Sequence, residues 1–153
     1  MPSHAMNTDE IRAFLEALPA RTAKLATVRA DGRPHVAPIW FVLDRSTATA
    51  DASIGDVVFN TGADTLKGKA LARDPRVALC IDEERLPFSF VTIEGTATLS
   101  EDLEEVLHWA TVLGGRYMGQ DRAEEFGARN GVPGELLVRV RPTHIVAVAD
   151  LSD

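Results

Sequence analysis

The sequence has a single cysteine, Cys80, so no disulfide can close within the chain, and a reducing cytoplasm is the compartment that suits it. It has no apolar run near the roughly 20 residues a bilayer span requires, and no basic stretch followed by an apolar one at its N-terminus to act as a secretion signal. Positive charge is in deficit: 23 acidic against 16 basic side chains give a net −7, which argues against nucleic acid or an anionic membrane as the main partner. Motifs with a built-in chemistry are missing too: no G-x-G-x-x-G, Walker loop, serine nucleophile elbow or H-E-x-x-H occurs. His4, His35, His108 and His144 are too scattered for metal-ligand spacing and read as ordinary surface or core residues, so no metal is expected. Cys80, inside an alternating β run, reads as a small buried apolar residue rather than a reactive thiol.

At 153 residues, the chain fits one domain, with residues 1–7 expected to be a disordered N-terminal segment. "NTDEIRAFLEAL" offers Asn7 as N-cap, Glu10 three residues on, and Ile11, Phe14, Leu15 and Leu18 at helical spacing; this predicts a helix from about residue 8 that Pro19 ends. "TAKLATVRADGRPHVAPIWFVLD" predicts two strands joined at Ala30-Asp31-Gly32-Arg33, where Asp-Gly supplies the positive φ of a tight hairpin. "RSTATADASIG" reads as an exposed loop and "DVVFNT" as the third strand. A helical pattern over Asp64–Arg73 is closed by Asp74-Pro75, and "RVALCID" is the fourth strand. "FSFVTIEGTATLS" is a long fifth strand in which Gly95 marks a bulge or close backbone approach. Leu103, Val106, Leu107, Ala110 and Leu113 form one helical stripe with Ser100 expected as N-cap; a short helix through "DRAEEFGARN" and a final β segment, "ELLVRVRPTHIVAVA", follow. Too few βα units alternate for a doubly wound sheet, so the order predicts a mainly antiparallel barrel with helices packed outside.

Against the acidic background, Lys67, Lys69, Arg73 and Arg76 fall within ten positions. A helix start carries unpaired N–H groups and a positive dipole end, to which Lys67 in the first turn adds a point charge suited to phosphate. Lys67 and Lys69, two residues apart, cannot share a helix face, and Asp64 or Asp74 can pair with these cations as ordinary surface charge. An anion site and a solvated charged face both remain open on spacing alone.

Taken in order, "LATVRADGRPHVAPIWFV", "VVFNTGADTLKGKALARDPRVALC" and "FSFVTIEGTATLS" resemble the flavin/deazaflavin split β-barrel family that includes pyridoxamine 5′-phosphate oxidase, and within it the actinobacterial coenzyme F420-dependent reductases. The resemblance spans about residues 8–149. It implies a mainly β fold with flanking helices, a six-stranded antiparallel split β-barrel that forms a homodimer with one cofactor in each of two interface clefts. By this resemblance Lys67 and Gly68 fall where the family's helix meets the cofactor phosphate, and Lys69 and Arg73 line the mouth. His35, Val36, Ala37, Pro38, Ile39 and Trp40 lie along the ring, Asn60 and Thr61 approach its ribityl side, and Phe88 comes from the partner chain. The family's oxidase branch carries arginines for the FMN phosphate at positions matching Ala37 and Leu66. Each charge-assisted hydrogen bond lost costs roughly 1.5–3 kcal/mol.

A deazaflavin with a phospholactyl-oligoglutamate tail spreads its charge farther, along the line of Lys67, Lys69, Arg73 and Arg76. The expectation is therefore an F420-dependent reductase passing hydride to a conjugated electrophilic small molecule, in a pocket shaped by Trp40, Phe88 and residues Arg116 to Gln120. No side chain presents itself as the acid catalyst, and the proton can come from solvent. Two alternatives stand: an FMN-dependent oxidase or flavin reductase, and a non-catalytic cofactor or haem-type binding protein on the same barrel.

Overall fold

The first helix begins where its capping residues dictate. In the computed structural model of the chain, which describes residues 2–153, Asn7 Oδ1 accepts from the Glu10 N–H at 2.8 Å and Glu10 accepts from the Asn7 N–H at 3.1 Å, a closed capping box. The elements run β1 (His4–Ala5), α1 (Thr8–Glu16), β2 (Ala23–Val28), β3 (Pro34–Ile39), β4 (Val42–Asp44), β5 (Asp56–Gly62), α2 (Leu66–Arg73), β6 (Arg76–Glu83), β7 (Ser89–Ser100), α3 (Leu103–Met118), α4 (Ala123–Asn130) and β8 (Glu135–Ala149). Every strand pairing is antiparallel, in the order β3-β2-β6-β7-β8-β5-β4, with β1 attached to β8. The two ends of this path, β3 and β4, are consecutive in sequence and do not pair with each other. The sheet therefore curls around its core and stays open along that line, the split barrel with flanking helices that the sequence predicts.

The described residues hold eight strands where six were expected, and both additions have a physical reason. The run from Pro34 to Asp44 is not one strand: β3 pairs with β2 and β4 pairs with β5, so the chain leaves one edge of the sheet and joins the other across Trp40 and Phe41. At the crossing, the Phe41 N–H has no ladder partner and donates to the Tyr117 hydroxyl of α3 at 3.1 Å. The second addition lies in the segment expected to be disordered: His4 and Ala5 pair with Ala149 and Val148, and the Met6 N–H donates to Ala147 O at 3.0 Å.

Leu25, Phe41, Phe59, Leu79, Ile81, Ile93 and Val138 fill the barrel, and Ile11 and Leu15 of α1 pack onto the same core. A second cluster, Val58 and Leu137 under Val106 of α3, covers the outside of β5 and β8. With both faces buried, β5 carries the consecutive apolar residues Val57, Val58 and Phe59 instead of an alternating pattern. Gly95 sits at the β7 bulge, where a Cβ would lie 2.6 Å from Arg141 O, so the close approach expected there is real. Ser100 does not cap α3: it closes β7, while Asp102 accepts from the Glu104 N–H at 3.0 Å and the Glu105 N–H at 3.4 Å. Cys80 is half-buried on the outer face of β6 rather than in the core, and burial, with Asp82 nearby, pushes its thiol pKa up. Among the described residues no helix is long and apolar enough to cross a membrane.

Candidate functional site

Thr65 sets the site by starting α2. Its Oγ1 accepts from the Gly68 N–H at 3.1 Å and donates to Gly62 O at 2.7 Å, which ties the helix start to the end of β5. Gly68 lies flat against β5, where any Cβ would collide with Gly62 O. Lys67 is thereby aimed from the first turn of α2 into a cavity of about 310 Å³. One wall is polar, made by Asn60, Thr61, Thr65, Lys67 and Glu135; the other is largely apolar, made by Pro38, Ile39 and Trp40 with Ala110 and Leu113 of α3. That size and mixture lie in the range of small-molecule and cofactor sites.

Two features of the polar wall invite a ligand. Lys67 is half-buried, and its ammonium makes no hydrogen bond or ion pair among the described residues. Asn60 Nδ2 donates weakly to Val106 O at 3.4 Å, while its Oδ1 is buried with no partner. A buried acceptor left unpaired costs roughly 1–3 kcal/mol, which a donor on a bound molecule would relieve. On the opposite wall the Trp40 indole is held in place by stacking on Tyr117, ring centroids 4.9 Å apart. Glu135 opens β8 opposite Gly62 in the β5–β8 register; burial pushes its carboxyl pKa up and Lys67 pulls it back down.

Of the residues singled out by sequence, Pro38, Ile39, Trp40, Asn60, Thr61 and Lys67 come together in this cavity. Gly68 packs beneath it, and Lys69 and Arg73 stand exposed farther along α2. Val36 lines a separate groove on the outer face of the sheet, and His35 and Ala37, which alternate with it along β3, are not among the residues lining either the groove or the cavity. Phe88, 38% exposed at φ 60° in the β6–β7 connection, lines a third cavity with Cys80 and Leu151. Arg76 is held by Asp74, with Nε–Oδ1 at 3.0 Å and Nη2–Oδ2 at 2.6 Å, which holds the Asp74 carboxyl down at about 2. Arg116 and Tyr117 brace the fold, Arg116 donating to Leu15 O at 2.7 Å and Tyr117 to Arg21 O at 2.7 Å.

Sequence reasoning missed Thr65, Glu135 and the α3 wall. Thr65 carried a readable signal, a threonine just before a helical pattern. Glu135 carried none, because only the pairing of β8 with β5 brings it to Gly62 and α2.

The sequence model described as pyridoxamine 5′-phosphate oxidase matches residues 7–149. Among solved structures, a conserved hypothetical protein, Rv2991, from Mycobacterium tuberculosis is similar at a TM-score of 0.73 and 24% identity, over 93% of this chain and 84% of that one. An F420 reductase is similar at a TM-score of 0.64 and 22% identity, over 88% of this chain and 94% of its own. A FAD-binding protein from Mesorhizobium loti matches at 0.64 and 18% identity, over 97% and 98%. These likenesses establish a shared fold, on which proteins described by different cofactors are built.

Proposed function

The chain belongs to the pyridoxamine 5′-phosphate oxidase family, and from that premise we propose that it is an oxidoreductase that holds the deazaflavin coenzyme F420 and reduces a conjugated electrophilic small molecule. The observation that carries this reading is the pairing, in one cavity, of an unengaged half-buried Lys67 with the buried, partnerless Oδ1 of Asn60. The ammonium meets the cofactor's phosphate, and the amide oxygen accepts from one of its N–H or O–H groups. Trp40, fixed by Tyr117, gives the ring a flat wall, and Ala110 and Leu113 beside it keep water from that side. When bound, the reduced cofactor supplies the hydride. The chain supplies position and a dry cleft; the accompanying proton comes from solvent, and no side chain is assigned to deliver it.

The preference for the deazaflavin over FMN rests on Ala37 and Leu66, which stand where the resembled oxidases carry arginines, and on the exposed Lys69 and Arg73 beyond the cavity, which suit a longer anionic tail. The protein acts as a homodimer. Val36, 65% exposed, borders with Ala26, Ala78 and Val146 an apolar groove of about 350 Å³ on the outer face of the sheet, a surface a second copy covers. In that assembly Phe88 of one protomer reaches the cleft of the other.

Fluorescence titration of the purified protein with F420 and with FMN, followed by an assay for turnover of reduced F420 with conjugated acceptors, tests the reading. Tighter binding of F420 and its oxidation by an acceptor are expected. FMN retained through purification, with no response to F420, would replace it with the FMN enzyme; F420 bound without any turnover would favour a carrier.

A further inference from the structure

The cavity holds an acid on the same polar wall as its one lysine. Glu135 and Lys67 both line it, and among the described residues they are its only charged lining groups. Glu135 is brought there by the β8–β5 register that sets it beside Gly62; its Oε1 lies 3.9 Å from where a Cβ on Gly62 would be. The adjoining turn is fixed by the Ala63 N–H donating to Gly134 O at 2.8 Å. The Glu135 carboxylate accepts no hydrogen bond and closes no ion pair among the described residues, so neither charge cancels the other by direct contact. The groups that face it from the packed elements are neutral on β5 (Asn60, Thr61, Gly62) and α4 (Asn130), and charged only on α2, at Lys67.

We propose that Glu135 sets the charge of the phosphate that the Lys67 end of the cavity accepts, admitting a monoanionic phosphodiester and disfavouring a dianionic phosphomonoester. This rests on the reading that the cavity takes a flavin-type cofactor with its phosphate at Lys67. A phosphomonoester carries between about −1.5 and −2 at pH 7, since its second ionisation falls near pH 6. A phosphodiester lacks that ionisation and carries −1. Lys67 alone would reward the extra charge; with Glu135 ionised, the pair is neutral overall and the extra charge meets an unscreened carboxylate in a partly desolvated space. Burial already disfavours the Glu135 anion, so a dianion in the cavity drives it to take up a proton. Binding of a phosphomonoester is then linked to proton uptake and tightens as pH falls.

The test measures dissociation constants of FMN, riboflavin and F420 for the wild type and for the isosteric Glu135→Gln variant between pH 5 and 8, with thermal melting to verify the fold. Glu135→Gln is expected to tighten FMN about tenfold at pH 7.5, equivalent to one pKa unit of coupling. Riboflavin should not change, and F420 should change by less than about threefold. The variant should keep only the pH dependence of FMN's own second ionisation. A second measurement needs no cofactor: NMR titration of Glu135 should move to higher pH in Lys67→Ala. FMN affinity that shifts no more than riboflavin's, or a Glu135 titration that ignores Lys67, overturns the inference while leaving any F420 binding intact. A wild type that binds none of the three overturns the proposed function and this inference with it. Tight FMN binding with no F420 binding, but a tenfold gain in Glu135→Gln, removes the deazaflavin and upholds the role of Glu135.

Discussion

The rings of Trp40 and Tyr117 are stacked, centroids 4.9 Å apart and planes within 1° of parallel, so one contact joins the cavity wall to the line where the barrel is split. The Tyr117 hydroxyl donates to Arg21 O at 2.7 Å and accepts from the Phe41 N–H at 3.1 Å. Tyr117→Phe keeps the stack but leaves the backbone beside the buried Phe41 unpaired. A loss of about 1–3 kcal/mol in stability is expected, measured by urea denaturation, with a smaller effect on cofactor affinity.

Lys67→Ala should weaken cofactor binding by about ten- to a hundredfold, the worth of one charge-assisted hydrogen bond of about 1.5–3 kcal/mol. Melting of the free protein should barely move, since the ammonium closes no hydrogen bond or ion pair among the described residues and acts on Glu135 only through space. Fluorescence titration checks it, and an unchanged affinity would return Lys67 to ordinary surface charge.

Gly68→Ala separates packing from ligand contact. Its Cβ would be driven into Gly62 O, so α2 must lift from β5 at a cost of about 1–3 kcal/mol. Both the free protein's stability and its cofactor affinity should fall, whereas Lys67→Ala lowers only the second. Parallel denaturation and titration of the two variants give the contrast.

What was legible in the sequence was local. The Asp31-Gly32 hairpin and the α1 capping box each depend on neighbours a few residues away, and each stands where its residues predicted, whereas α2 begins at Leu66 rather than Asp64. What was not legible depends on partners far along the chain. The break of the long second run at Trp40 and Phe41 is completed by Tyr117 of α3. Asp44 and Asp56 are met by Arg139 at 2.8 Å and Arg141 at 3.0 Å, from a strand that follows them by more than eighty residues. Glu135 reaches the cavity only through the β5–β8 register. Of the strand expected along the cofactor ring, His35 to Trp40, Pro38, Ile39 and Trp40 line the cavity beside Lys67, since successive side chains of a strand point to opposite faces.

Asp74 gives a pH test. Its carboxyl is held at about 2 by the Arg76 guanidinium and the Arg76 N–H, below its unfolded value near 3.9. A depressed carboxylate contributes stability that is present above the unfolded pKa and is lost as pH falls through the folded one. The Asp74→Asn variant should therefore be less stable than the wild type at neutral pH, and the gap should narrow from about pH 4 to pH 2. Melting temperatures of the two proteins across that window check the sign.

The outer face of the sheet should close on a second copy. Val36, Ala26, Ala78 and Val146 form a small-residue apolar surface around which Lys24, Glu94 and His144 are distributed, and a charge at its centre would be buried unpaired in a dimer but solvated in a monomer. Val36→Asp should thus shift the protein from dimer to monomer in sedimentation velocity at micromolar concentration while the monomer keeps its β-rich circular dichroism. Val36 does not line the cavity that holds Lys67 and Asn60, so a simple contact role predicts no change in cofactor affinity. If the cleft is completed by Phe88 of the partner chain, affinity falls together with dimerisation, and Phe88→Ala lowers affinity while leaving the dimer whole. A monomeric wild type, or a Val36→Asp monomer that binds cofactor as well as the wild type, would confine the site to the single chain.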